Sequence, residues 1–280
     1  MTERTVVASG VRMFVREKGV GDPVVLLHGF PQTGACWGAV AERLAKRYRV
    51  IVPDLPGFGR SGAPPRYEAE AVAGVLATFL DELGASTATI VGHDWGGSLA
   101  FALALAHPKR VSNLVVLNAP FRKLDLKRGF HFLAFNVPFV PELAFRLAGD
   151  RLVTFMLRAG AAREDVFDEE TTRPYREAFA DPANVRSALA YYRTITRKII
   201  ARRLRPGRRG STSRTPRRIE APTLLVWGMR DPVLPESILA GIESDIPQAR
   251  AVRLPNCGHF VPEECPEDTA GAIESFLTSG

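Results

Sequence analysis

Three cysteines are few for 280 residues, and Cys36, Cys257 and Cys265 form neither an even set nor a CxxC pattern. That argues against a disulfide framework or a thiolate metal site and predicts a reduced, cytoplasmic protein. Long hydrophobic runs are missing as well: none reaches the roughly 18 residues of a membrane span. The opening MTERTVVASGVRMFVREKG interleaves charges with short apolar pieces, unlike a secretory leader. Acid is absent from one long stretch. Arg197 to Arg218 holds ten Lys/Arg and no Asp or Glu, while the remainder has 27 bases against 30 acids. The net charge of +7 is therefore local. Nucleic-acid binding is not expected; a solvated connector is the favoured reading of 197–218, and contact with an anionic membrane the less favoured one.

With 46% hydrophobic and 24% charged residues, the chain has ample material for a large core. Short Val/Ile/Leu runs alternate with helical patterns, as in a parallel sheet covered by helices. VVLLH (24–28), RVIVPD (49–54), ATIVGHD (88–94), VSNLVVLN (111–118), PTLLVWG (222–228) and ARAVRL (249–254) read as strands. TVVASG and VRMFVRE form a hairpin around Gly10; helices are expected near 37–46, 69–83, 96–106 and 265–277. The alternation stops between Phe121 and Arg218, a helical, amphipathic interval broken by prolines. The fold class is α/β: a core of 1–120 and 219–280 with a mostly parallel sheet, and a helical cap inserted at 121–218. Such a cap would lie over the carboxyl edge of the sheet, where open α/β sheets bind ligands.

The stretch VGHDWGG (91–97) places Asp94 between Gly92 and Gly96 where a strand meets a helix. In a sharp strand–turn–helix the central residue is strained and exposed, and side chains at the flanking positions would collide. This architecture then needs an acid after a later strand and a histidine near the C-terminus. Asp231 in WGMRDPVLP and His259 in NCGHFVPEE stand in that order. HGFP (28–31) follows a strand and supplies the Phe30 N–H, which with that of Trp95 would make an oxyanion hole. His28 is expected to brace that loop, and Pro31 to follow a cis bond.

With HGFPQ, DLPGFGRS (54–61), GHDWGG, GMRDPV and GHFVPEE, the chain resembles the α/β-hydrolase fold over its whole length. Within that fold it looks like the epoxide hydrolase and haloalkane dehalogenase branch, closest to the epoxide hydrolases. The chemistry of an aspartate agrees. Attack on a carbonyl would give an anhydride, whereas attack on saturated carbon bearing a leaving group gives an alkyl ester. His259, oriented by Asp231, would then activate water against the Asp94 carboxyl carbon. Without a serine at 94 an esterase is hard to sustain, and no ligand set accompanies an aspartyl-phosphate reading.

The resemblance also bears on the leaving group. Haloalkane dehalogenases usually carry Asn where Phe30 stands, and fluoroacetate dehalogenases carry arginines just after the nucleophile, where this chain has Trp95 and Ser98. Tyr192 in ALAYYRTI resembles the ring-opening tyrosine of epoxide hydrolases. The first half of the insertion has no tyrosine, but His131 resembles a cap histidine that could be the second acid. Phe30, Pro31, Trp95, His131, Phe132, Phe135 and Tyr191 are expected to line an apolar pocket. The implied partner is a small hydrophobic epoxide or halogenated substrate, with no cofactor or metal, in a monomer or homodimer. A haloalkane or haloacid dehalogenase, and a non-catalytic binding protein, stay open beside the epoxide hydrolase.

Overall fold

The structure, a computed structural model, describes residues 1–121, 134–204 and 218–279 of the chain. Eight strands form one sheet in the order β1-β2-β4-β3-β5-β6-β7-β8. These are β1 (Thr2–Ala8), β2 (Val11–Lys18), β3 (Pro23–Leu27), β4 (Arg49–Pro53), β5 (Ala88–His93), β6 (Val111–Leu117), β7 (Thr223–Gly228) and β8 (Arg250–Leu254). β1 and β2 form an antiparallel hairpin, β2 pairs antiparallel with β4, and the other neighbours are parallel. The hairpin turn is Ser9-Gly10, both at positive φ, which matches the right-handed twist of the flanking strands.

The apolar runs become the strands expected of them because both faces of the sheet are covered. β5 and β7 are buried at every position, which is why they read as continuous rather than alternating hydrophobic sequence. β8 lies at the edge, and its exposed Arg250 and Arg253 discourage edge-to-edge pairing. Helices α1 (Gly38–Leu44), α2 (Ala69–Glu82) and α3 (Trp95–Ala106) connect the strands of the first half. The chain leaves β3 for β4 on one side and crosses back to β5 on the other. The loops after β3 and β5 therefore diverge, and the crevice between them is the topological switch point of the sheet.

Between β6 and β7 the described residues hold no strand but three long helices: α4 (Val140–Gly160), α5 (Glu169–Ala180) and α6 (Pro182–Leu204). Hydrogen bonds tie α6 to the loop after β4. Asn184 Nδ2 donates to the Gly59 carbonyl at 3.0 Å, and the Tyr191 hydroxyl donates to the Pro56 carbonyl at 3.0 Å. Gly57 is at positive φ there, and a Cβ on it would approach Ser187 Cβ to 2.7 Å. Arg193 braces α6 against α4 by donating to the Phe135 carbonyl and pairing with Glu142. Beyond Val261–Glu264 (α7), helix α8 (Pro266–Thr278) closes the chain over α1. Among the described residues no helix is long and apolar enough to cross a membrane.

Replacing Tyr191 with Phe would leave the buried Pro56 carbonyl without its donor. It should destabilise the protein by about 1–3 kcal/mol, read as a lower urea midpoint at unchanged slope.

Candidate functional site

The site is assembled at the carboxyl ends of β3, β5, β6, β7 and β8. At the end of β5 the backbone turns so sharply into α3 that Asp94 takes φ 51°, ψ −116°. Only glycine fits around it. A Cβ on Gly92 would lie 2.3 Å from the Gly96 carbonyl oxygen, and one on Gly96 would lie 2.3 Å from that of Leu27. A Cβ on Gly29 would come within 2.4 Å of Asp94 Cβ, so the loop after β3 reaches the aspartate only because it too begins with glycine.

That approach brings the Phe30 N–H to Asp94 Oδ1 at 3.0 Å. Trp95 opens α3, so by position its N–H has no intrahelical acceptor. The Phe30-Pro31 bond is cis. His28 is wholly buried and holds the loop: its Nε2 accepts from the Leu55 N–H at 2.9 Å, leaving Nδ1–H to donate to the Gly29 carbonyl at 2.8 Å. This pattern requires a neutral ring, and burial pushes the His28 pKa down accordingly. Its role is structural.

From the opposite side His259 faces the aspartate. Its Nε2 lies 3.6 Å from Asp94 Oδ2, while Nδ1 is hydrogen-bonded to Asp231 Oδ2 at 2.8 Å. Asp231 is 6% exposed and is aimed by its surroundings. Its Oδ1 accepts the N–H groups of Val233 and Leu234 at 2.7 and 2.9 Å. Asn118, just beyond β6, donates to Oδ2 at 2.6 Å and with its own Oδ1 accepts the Gly228 N–H at 2.8 Å. Burial alone would lower the His259 pKa, but the charges of Asp231 and Asp94 override it and raise it to about 10. Burial works against ionised Asp94 as well; His259 and the Phe30 N–H hold its carboxyl below its ordinary range. Two carboxylates thus share one imidazolium: Asp94 is anionic, and any loss of its charge releases the His259 proton more readily.

Over this group lies a wall of rings. Tyr192 packs edge-on against Phe30, Trp95 and Phe135, with centroids 5.5, 5.1 and 5.0 Å away. Phe179 of α5 meets Phe30 at 5.3 Å. Burial, then the negative charge of Asp94, drives the Tyr192 pKa well above the usual phenol value, so its hydroxyl keeps its proton. Tyr191 also touches Trp95, but its hydroxyl is spent on Pro56. A groove of about 800 Å³ opens between α4, α5 and α6, and Phe145 and Phe179 in its wall back onto this ring cluster.

A family model described as alpha/beta hydrolase fold matches residues 22–266. The chain belongs to the alpha/beta hydrolase fold family. Among curated relatives, this hydrolase is 27% identical to epoxide hydrolase 3 of Xenopus tropicalis, over 96% of the chain and 75% of that protein. It is 28% identical to haloalkane dehalogenase 2 of Mycobacterium tuberculosis, over 94% and 90% respectively. Among solved structures it superposes on Cfl2 of Burkholderia cenocepacia with a TM-score of 0.86 at 27% identity, covering 98% of this chain and 95% of that one.

Of the residues singled out by sequence, the structure brings together Asp94, Asp231, His259, Phe30, Trp95, Tyr192 and Phe135, with Pro31 beside them. His131 and Phe132 lie outside the described residues, as does most of the basic 197–218 stretch. Within its described part, Lys198 pairs with Glu70 of α2. Sequence reasoning overlooked three residues of this hydrolase: Asn118, His93 and Glu264. Asn118 had one available signal, a polar residue ending an apolar strand in the layer where Asp94 and Asp231 sit.

His93 is wholly buried, and its Nε2–H donates to the His259 carbonyl at 2.8 Å while Nδ1 has no hydrogen-bond partner among the described residues. Burial, and then the charge of His259, lowers its pKa to about 4. The unfolded chain takes up this proton near pH 6.5 and the folded one only near pH 4, so His93 weakens the fold as pH falls between them. The loss over that window should approach about 3 kcal/mol. Urea titrations of wild type and His93→Asn across it should show their stability gap closing by that amount; a constant gap would contradict the assignment.

Proposed function

We propose that this α/β hydrolase opens epoxides to vicinal diols through a covalent ester on Asp94, with α4–α6 and the segments joining them (121–218) acting as a cap over the site. The observation that carries the choice is a protonated, desolvated Tyr192 phenol packed against the two residues, Phe30 and Trp95, whose N–H groups flank Asp94. A departing halide has no use for that proton. An opening epoxide does.

In the first step Asp94 Oδ2, the oxygen not held by Phe30, attacks a ring carbon. The carbon–oxygen bond breaks, and the oxygen leaves with its electron pair and takes the Tyr192 proton. His131 is the proposed second acid. The ester then has Oδ1 as its carbonyl oxygen, already 3.0 Å from the Phe30 N–H. Esterification consumes the Asp94 charge, one of the two that hold the His259 pKa up. His259 then gives its resting proton to solvent, and the imidazole becomes a competent base after the first step, not before it. It takes a proton from water as the water oxygen bonds to the Asp94 carboxyl carbon. The oxyanion rests between Phe30 and Trp95 N–H. Collapse expels the alkyl oxygen, which takes the His259 proton as the second hydroxyl of the diol; the remaining proton of the added water returns to Tyr192, restoring the phenol and the Asp94 carboxylate.

A halide-releasing reading uses the same carboxylate and base, and the 28% identity to a haloalkane dehalogenase keeps it as the second reading. A panel of epoxides and haloalkanes separates them. Wild type should form diol, Asp94→Ala should form none, and Tyr192→Phe should lose about 10²–10⁴-fold in epoxide turnover. Halide release without diol would reverse the choice; ligand binding without turnover of either class would point to a binding protein. In ¹⁸O-water a single turnover should label Asp94 and leave the product unlabelled. The pH midpoint for hydrolysis of the trapped ester should fall below the value of about 10 that His259 has in the resting enzyme, measurable by rapid-quench single turnovers at varied pH.

A further inference from the structure

Glu264 is a carboxylate at 1% exposure, and it lies outside the Asp94–His259–Asp231 group. Its charge is met by backbone. Oε2 accepts the N–H groups of Ala162, Arg163 and Gly258 at 2.7, 3.1 and 3.0 Å, and Oε1 that of Phe260 at 3.0 Å. Gly258 and Phe260 are the two neighbours of His259, while Ala162 and Arg163 follow the end of α4. The same two segments meet again where the His259 N–H donates to the Gly160 carbonyl at 2.9 Å. There is no room for slack: a Cβ on Gly258 would lie 2.4 Å from Ala162 N, and one on Gly160 would lie 2.7 Å from the Phe260 ring. The His259 carbonyl accepts from His93. Every backbone N–H from 258 to 260 is thus committed, two of the three to one side chain.

Four N–H donors converging on one buried anion make bonds roughly twice as strong as neutral ones. They also fix direction, since each donor is set by backbone rather than by a rotatable side chain. His259 reaches Asp94 across 3.6 Å, longer than a hydrogen bond, so its ring is aimed by its backbone and Asp231 rather than by Asp94.

We infer that Glu264 is the positioning residue of the base: it couples the C-terminal end of α4 to the loop that aims His259, and so governs the water-activating half of the reaction but not the attack by Asp94. This rests on the covalent reading above. Attack by Asp94 needs only its own carboxylate and the proton donor, whereas hydrolysis needs His259 Nε2 within reach of a water held against the ester carbon. A displacement of about 1 Å there costs on the order of 10²-fold. Carboxamide in place of carboxylate keeps the size and one acceptor, but aims an N–H₂ group at an N–H donor.

Single-turnover kinetics on a reactive epoxide test this, since rate constants are independent of the folded fraction. In Glu264→Gln the ester-hydrolysis constant should fall about 10- to 100-fold with formation of the ester within about 3-fold of wild type, so that the Asp94 adduct builds up in intact-protein mass spectra. Glu264→Asp, which retains the charge but withdraws it by one methylene, should give the same split. Equal slowing of both steps, or neither, would make Glu264 a purely structural carboxylate and overturn the inference; so would failure of both variants to fold. His259→Gln separates the premises. If it accumulates no Asp94 adduct, the covalent reading fails and this inference falls with it; if it does, the Glu264 ratio alone decides.

Discussion

The turn that carries Asp94 can close only if no side chain occupies the places where backbone meets backbone. Gly92 and Gly96 let β5 turn into α3 against β3, and Gly29 lets the loop after β3 come up to the aspartate from the other side. The strain at Asp94, a non-glycine residue at φ 51°, persists because strands on either side leave the chain no alternative path. From this constraint follow the exposure of the carboxylate, its contact with the Phe30 N–H and its position facing His259. Relaxing the turn would displace all three together.

Electrostatics then divides the labour among groups that look alike in composition. His28, His93 and His259 are all buried, yet only His259 lies between two carboxylates, and only its pKa is raised. The other two are driven neutral and serve as rigid hydrogen-bonding frames for the loops before and beside the site. The same contrast separates Tyr191 from Tyr192. Adjacent on α6, they point to different neighbours, and one hydroxyl is tied to the Pro56 carbonyl while the other stands in the field of Asp94.

The inserted helices are not a separate layer resting on the core. α6 is hydrogen-bonded to the loop after β4 through Asn184 and Tyr191, and the end of α4 shares Glu264 with the loop of His259. An insertion that covers a site usually admits some motion. Here these attachments bear directly on the loops that shape the site, so displacement of the helices would be felt by the imidazole.

Much of the fold was legible in sequence. Each strand read from a Val/Ile/Leu run is present within a residue or so, because parallel strands buried on both faces leave an unmixed apolar signature. That Asp94, Asp231 and His259 would come together was legible for a related reason: each stands at a strand end, where a glycine pair, an Asp-Pro turn and a Gly-His step interrupt an apolar run. Asn118, His93 and Glu264 were not. Their roles consist of hydrogen bonds across 110, 166 and 102 residues of chain, and no local pattern records which backbone groups will be adjacent. The sequence by itself determined the sheet, the turn and the placing of Asp94, Asp231 and His259 at strand ends, since these depend on periodicity and on the steric demands of glycine. Only the tertiary structure decided which histidine carries charge, which tyrosine is tied to the Pro56 carbonyl and what aims the imidazole, since each depends on neighbours brought together through space.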